Sequence, residues 1–234
     1  MKKLLCSLVL LISSFNVLYP QAVSKYINVP IKVDGNLTDW DFAEWYWIKP
    51  QDPNWKDSAK FALFWDENYL YIGFEVFNSN LQAQKTERDE QDIHMDDGVE
   101  VLIDPNLDRS LDWRDDDFAY HVNIYNAILD DRGLNEEGKF NNDLKVNWNG
   151  DIISAVRTYG TINEAIDKDW GYTVEMSISW NEIGYLPYAG KKFGADFCVN
   201  DRDDSTGKYR HYDWMKLKKF HMPSDFGIVT LVIE

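Results

Sequence analysis

Short segments in which apolar residues alternate with other residues recur along most of this chain, and they constrain its fold more than any other feature. The two clearest are residues 58–65 and 69–78, which are joined by the turn residues Asp66, Glu67 and Asn68. A period of two residues is typical of a β-strand, because successive side chains point to opposite faces of a sheet. Since both faces of this predicted hairpin carry apolar residues, we expect it to lie in a two-layer structure.

The same alternation predicts a series of further strands, at 26–33, 99–103, 118–127, 144–148, 152–158, 172–179, 192–200 and 226–233. Short helical turns are predicted at 39–44, where Trp40 is expected to be a buried plug, and at 180–184. Strands this short and this numerous predict an all-β protein, a two-layer antiparallel β-sandwich with short helical turns. A chain of 234 residues is long enough for one such domain to bury a sizeable core.

The first 22 residues have the order of a secretory signal. Lys2 and Lys3 precede an apolar run at 4–12 that is too short to span a membrane comfortably, and a cleavage point near Ala22 follows. We therefore predict a signal peptide at 1–22, one domain at 23–234, and a secreted or periplasmic protein. Of the two cysteines only Cys198 would remain, so the exported domain is expected to have no internal disulfide.

Charge and aromatic content narrow the classes of partner. A formal net charge of −16 repels phosphates, so the sequence argues against binding to nucleic acid or to an anionic membrane surface. The 10 Trp and 13 Tyr residues are many for this length. Most aromatic side chains build cores, but this number makes stacking surfaces for sugar rings plausible.

Glu100 stands in the middle of the predicted strand 99–103, where a carboxylate is unfavourable unless something uses it. Two interpretations are open on the pattern alone: a solvent-facing residue of an edge strand, or a residue of a functional site. A carboxylate pair for glycoside hydrolysis could combine Glu100 with Glu175 or Asp201, although acidic residues are too abundant for the pairing to be specific. The four histidines, His94, His121, His211 and His221, lie in separate strands or loops, and their spacing alone supports no metal site.

Two further features also have two interpretations each. The acidic runs 115–117 and 201–204 are either solvated loops or loops that bind calcium through their oxygens. Trp214, in a polar neighbourhood, is either a stacking platform for a sugar or a plug at the end of the sandwich.

Four motifs, in order along the chain, resemble those of the family 9 carbohydrate-binding modules. They are I-K-V-D-G-N-L-T-D-W at 31–40, A-L-F-W-D-E-N-Y-L-Y-I at 62–72, D-G-V-E-V-L-I-D at 97–104, and V-N-D at 199–201 followed by Trp214 and by Phe-Gly at 226–227. The resemblance covers nearly all of the chain after the predicted signal peptide. It implies a sugar-binding sandwich in which a sugar at a chain end is clasped between two tryptophans, while a glutamate, an arginine and amide groups contact its hydroxyls.

By motif position, the resemblance implies that Glu100 is the family's glutamate and Trp214 its second tryptophan. The first tryptophan falls at or beside His94 and the arginine at His121, so this protein is expected to differ from its relatives there. The predicted carbohydrate-binding set therefore comprises His94, Glu100, Tyr120, His121, Asn200, Asp201 and Trp214. The resemblance also implies structural calcium, for which the candidate ligands are Asp115, Asp116 and Asp117.

The sequence thus predicts an exported, non-catalytic domain that binds plant-type glycan ends or oligosaccharides, beside a glycoside hydrolase that degrades polysaccharides such as xylan. Two alternatives remain open at this point. One is a glycoside hydrolase that uses paired carboxylates, and the other is a calcium-stabilised adhesion or structural module.

Overall fold

A computed structural model describes residues 20–133, 148–164, 166–203, 208–217 and 219–233 of the protein. The described residues form twelve strands: β1 Gln21–Tyr26, β2 Tyr46–Ile48, β3 Ser58–Trp65, β4 Tyr69–Phe77, β5 Gly98–Asp104, β6 Phe118–Asn123, β7 Ile128–Arg132, β8 Ile153–Tyr159, β9 Gly171–Ser179, β10 Lys192–Asp203, β11 Lys208–Asp213 and β12 Gly227–Val232. Their helical structure is limited to short 3₁₀ turns at Leu37–Trp40, Ile93–Met95 and Pro223–Asp225. No helix among these residues is long and apolar enough to cross a membrane.

The strands form one continuous hydrogen-bonded sheet that curls into two facing layers. Its order is β7-β6-β5-β10-β12-β1-β3-β4-β9-β8, with β11 paired to β10 and β2 paired to β3. The layers meet through their inward-facing aromatic side chains: Phe61 of β3 stacks on Phe197 of β10, with ring centroids 3.9 Å apart. The predicted all-β sandwich is confirmed, and so is the hairpin of β3 and β4, which pairs along its whole length.

Strict alternation along each strand decides which side chains enter the core. In β5, Val99, Val101 and Ile103 face inward and are fully buried in the main apolar cluster. Glu100 and Leu102 therefore face the outer side of the same layer. Leu102 is buried there too, in a second cluster with Trp113, Cys198 and Phe226.

Each layer is covered on its outer face by a connecting segment. Residues 27–45 cover the layer that contains β3 and β4, and Trp40 is 2% exposed at the centre of that contact, as the sequence predicted. Gly73 permits the approach, because a Cβ atom there would lie 2.9 Å from the Trp40 ring. On the opposite layer, Trp113, Leu217, Phe220 and Phe226 cover Leu102 and Cys198, and they leave a cavity above Glu100.

The structure departs from the sequence prediction at the first strand and at the β10–β11 hairpin. The first strand is Gln21–Tyr26 rather than 26–33, and it pairs in parallel with both β12 and β3, so the sheet is not wholly antiparallel. Cleavage near Ala22 would remove two of its six residues, and Ala22 pairs with Val229. Residues 201–203, predicted as part of an acidic loop, continue β10, which pairs with β11 at Lys208–Asp213, and residues 204–207 lie outside the described residues. Residues 1–19 of the predicted signal and 144–147 of one predicted strand lie outside the described residues.

Candidate functional site: a cavity on the outer face of β5, β6 and β10

Glu100 and His121 form the floor of the cavity. They are direct partners across the β5–β6 ladder, so both side chains leave the sheet on the same outer face. His121 Nε2 lies 3.2 Å from Glu100 Oε1, and the two residues are 7% and 2% exposed. Such a pair, held at the bottom of a recess, can offer a carboxylate acceptor and an imidazole group to a polar ligand.

The walls come from three other parts of the chain. His94 stands on the 3₁₀ turn Ile93–Met95, and its ring meets Tyr209 of β11 edge-on, with centroids 5.8 Å apart. Phe220 and His221 belong to the segment between β11 and β12. The cavity has a volume of about 300 Å³ and is lined by His94, Glu100, His121, Leu129, Asp131, Tyr209, Phe220 and His221. This volume is at the lower end of the range for small-molecule sites.

All four histidines of the chain converge on this region. Three line the cavity, and the fourth, His211, lies directly behind Phe220 with ring centroids 4.1 Å apart. His211 Nδ1 is 2.9 Å from Asn200 Oδ1, which also accepts a 2.6 Å hydrogen bond from the Tyr209 hydroxyl. Since an amide oxygen only accepts, His211 carries its proton on Nδ1.

Burial determines the protonation of the groups behind the cavity. It lowers the pKa of His211 to about 3, and His94 adds to this effect, so His211 is neutral at pH 7. Burial also raises the pKa of Asp213, whose Oδ2 lies 3.7 Å from His211 Nε2. The pKa of the Tyr209 hydroxyl is raised by burial and then by Glu100 and Cys198, so this group remains a hydrogen-bond donor. The back wall therefore presents the neutral imidazole of His211, the Tyr209 hydroxyl and aromatic rings.

The structure brings three of the predicted carbohydrate-binding residues together in the cavity: His94, Glu100 and His121. Asn200 supports the site from behind, through Tyr209 and His211. The other three predicted residues, Tyr120, Asp201 and Trp214, lie elsewhere, and each has a clear structural environment.

Tyr120 is fully buried inside the sandwich and donates its hydroxyl to Glu182 Oε1. Asp201 belongs to a buried polar network in which Asn78 Nδ2 donates to it at 3.3 Å. Trp214 packs on the core side, 5.4 Å from Phe61 and 5.9 Å from Phe197 between ring centroids. The aromatic side chains that line the cavity are Tyr209 and Phe220, whereas Trp214 is partly buried against the main core.

The carboxylate pairs considered for glycoside hydrolysis do not share a site. Glu175 is fully buried on the outer face of the other layer, where its two oxygens accept hydrogen bonds from Asp34, Gly35 and Trp40. Asp201, which follows Asn200 in β10, points to the opposite face of the strand. Neither residue lines the cavity that contains Glu100.

The three candidate calcium ligands make contacts within the chain. Asp117 is 1% exposed and accepts the Arg114 N–H, and Asp116 accepts the Asn106 amide at 2.8 Å. The Asp115 carbonyl accepts from the Arg132 side chain. Within the part of the chain that the structure describes, no three His, Cys, Asp or Glu side chains are arranged to hold a metal ion. Calcium at Asp115, Asp116 and Asp117 stays a prediction.

Sequence reasoning missed Tyr209, Phe220 and His221 as members of one site. For Tyr209 the sequence carries no clear signal, because both faces of the run at 208–213 include polar residues, and only the strand seen in the structure puts Tyr209 and His211 on one face. Phe220 and His221 stand in a segment without strand periodicity, so no pattern in the sequence relates them to Glu100.

A family model described as "Carbohydrate family 9 binding domain-like" matches residues 33–233. The chain is 27% identical over 199 residues to the exoglucanase XynX of Acetivibrio thermocellus, covering 83% of this chain and 15% of that protein. It is 28% identical over 217 residues to endo-1,4-beta-xylanase A of Thermotoga maritima, covering 90% of this chain and 18% of that one. The chain thus spans only a small part of these curated relatives.

Two solved structures share the fold over most of their length. One is a family 9 carbohydrate-binding module from Caldicellulosiruptor kristjanssonii in complex with cellotriose, with a TM-score of 0.69 and 25% identity over 92% of this chain and 95% of that one. The other is a family 9 module from the same organism in complex with glucose, with a TM-score of 0.65 and 24% identity. The second match covers 92% of this chain and 97% of that chain, and it shows a shared fold alone.

Proposed function

Because the chain belongs to the family 9 carbohydrate-binding domains, we propose that its cavity binds a sugar ring and that it does so without catalysing a reaction. The observation that carries the proposal is the buried pair of Glu100 and His121 at the floor of a recess with aromatic walls. A sugar ring needs acceptors and donors for its hydroxyls and an aromatic plane for its apolar face. Glu100 and His121 supply the polar groups, and Phe220 and Tyr209 supply rings.

The ligand class that we propose is a glucose- or xylose-based oligosaccharide or its terminal residue. Support comes from the cellotriose bound to the related module and from the exoglucanase and xylanase names of the relatives. The cavity volume of about 300 Å³ is small, which favours one ring held inside the recess over a long chain lying along a groove.

Isothermal titration with glucose, xylose and the cello- and xylo-oligosaccharides tests the proposal. Glu100→Gln removes the charge of the floor carboxylate, and hydrogen bonds to charged groups contribute about 1.5–3 kcal/mol. We therefore expect at least about tenfold weaker binding in this variant. The matched control is Glu75→Gln, since Glu75 pairs with Lys60 on the outer face of the other layer. No measurable binding of any of these sugars by the wild-type protein would refute the proposal.

We also propose that the domain acts outside the cytoplasm beside a glycoside hydrolase. The support is the pattern of residues 1–22 together with the relatives, in which the matching region is a small part of a longer enzyme. Structural calcium is a separate proposal that rests on the family resemblance and the acidic run 115–117. Equal melting temperatures in calcium and in a chelator would argue against it.

A further inference from the structure

The backbone of His221 is in the left-handed region, with φ of 55°. Eight described residues other than glycine have positive φ, and of these only His221 lines the cavity. Such a conformation is uncommon for residues other than glycine, and it persists where the surrounding structure holds it in place. Its occurrence in the wall of the cavity calls for an explanation specific to this position.

The conformation has a geometric consequence for the wall. In an extended segment, consecutive side chains point in opposite directions, so only one of Phe220 and His221 would face the cavity. With His221 in the left-handed region, both do. Phe220 packs on His211 at 4.1 Å, and the His221 imidazole lies over the buried Trp113, with ring centroids 4.7 Å apart.

Trp113 in turn is fixed by a 3.2 Å hydrogen bond from its Nε1 to Asp131 Oδ1. The His221 ring therefore rests on an anchored surface, while Glu100 and His121 form the floor of the same cavity. An imidazole can donate a hydrogen bond to a sugar hydroxyl or accept one from it, which a purely aromatic wall cannot do.

We propose that His221 contacts the ligand directly and determines which sugar the cavity accepts, through a hydrogen bond to one hydroxyl of the ring. This inference rests on the proposed function and adds to it a specificity-determining residue. In this proposal, the left-handed backbone of His221 has a role, because it places the imidazole next to the ring of Phe220.

The test compares His221→Asn with the control Lys216→Asn. Lys216 has φ of 59° and is exposed, and asparagine tolerates the left-handed region, so neither substitution conflicts with the backbone. Binding of glucose, xylose and each monodeoxy-glucose is measured by titration calorimetry, and melting curves check folding. His221→Gly, which accepts the same backbone, replaces His221→Asn if the latter does not fold.

We expect glucose to bind about 3- to 10-fold more weakly to His221→Asn, as for the loss of one hydrogen bond, and equally well to Lys216→Asn. One monodeoxy-glucose, lacking the contacted hydroxyl, is expected to bind equally to wild type and His221→Asn. If wild type binds sugars and His221→Asn keeps every affinity, this inference fails and the proposed function stands. A uniform loss across all the deoxy sugars indicates a structural role and also overturns it. If wild type binds none of the sugars, the proposed function itself fails.

Discussion

Glu175 provides a sharp test of how the first sequence motif is held in place. This carboxylate is fully buried on β9 beneath residues 31–40. One oxygen accepts the backbone N–H groups of Asp34 at 2.8 Å and Gly35 at 2.6 Å, and the other accepts Trp40 Nε1 at 2.9 Å. Three donors from one segment therefore converge on a single side chain, and we predict that Glu175→Gln destabilises the domain without affecting sugar binding.

The expected loss of stability in Glu175→Gln follows from these contacts. Glutamine keeps one acceptor oxygen, and its least disruptive orientation places that oxygen at the two backbone N–H groups. The amide nitrogen then faces the Trp40 indole N–H, so one charge-assisted hydrogen bond is lost and two donors oppose each other. A bond to a charged group contributes about 1.5–3 kcal/mol, and removing a buried charge offsets part of the loss. We expect a net loss of about 2 kcal/mol, or about 4–8 °C in melting temperature for a domain of this size.

Thermal and urea unfolding of Glu175→Gln and Glu75→Gln measure the difference. Glu75 lies on the neighbouring strand β4, is partly exposed and pairs with Lys60 at 2.5 Å. Loss of such a surface ion pair changes stability by no more than about 1 kcal/mol. Equal melting temperatures for the two variants would refute the structural role of Glu175. Loss of sugar binding in a stable Glu175→Gln protein would instead place Glu175 in the functional site.

Three further predictions concern the cavity and the wall behind it. Phe220→Ala is expected to weaken sugar binding by up to about tenfold in calorimetry, because a stacking surface is lost; unchanged affinity would contradict this. Trp214→Phe is expected to leave the affinity within about twofold, since Trp214 packs on the core side, where its ring lies against Gly227; a large loss would show that Trp214 contacts the ligand. His211 has its pKa lowered to about 3, so the unfolded chain binds more protons than the folded one from about pH 6.5 downward. Between pH 7 and pH 5, the free energy of unfolding of the wild type is therefore expected to fall by about 2 kcal/mol more than that of His211→Gln. Parallel curves of stability against pH for the two proteins would contradict the lowered pKa of His211.

The strands could be predicted where one set of alternating residues is apolar. This holds for β3, β4, β5 and β9, whose inner side chains all enter the main core. The prediction of strands fails where both faces of a strand carry polar residues that the fold buries in hydrogen-bond and ion-pair networks. In β11, Tyr209 and His211 face the cavity region while Arg210 contacts Asp201 at 3.7 Å, and such a run cannot be told from a loop by hydrophobicity.

The strand β11, which the sequence did not predict, also explains where Trp214 lies. Side chains alternate along β11, so that Tyr209 and His211 share one face while Tyr212 is buried in the main core. Trp214 follows just beyond the strand and is on the Tyr212 side, packed on the main core. Glu100 and His121 could be placed because they lie in well-patterned strands.

Glu100 and Glu175 show why burial alone does not identify a functional carboxylate. Both stand in the middle of a strand, on the outer faces of opposite layers, and they are 2% and 0% exposed. The difference lies in what covers them. Glu175 is closed over by its own chain, whose backbone and indole donors occupy both of its oxygens. Glu100 has His121 beside it and a cavity of about 300 Å³ above it, so a ligand can reach the pair. A carboxylate that the fold covers with its own donors anchors a loop, whereas one that faces a recess, as Glu100 does, is the one that we propose for ligand recognition.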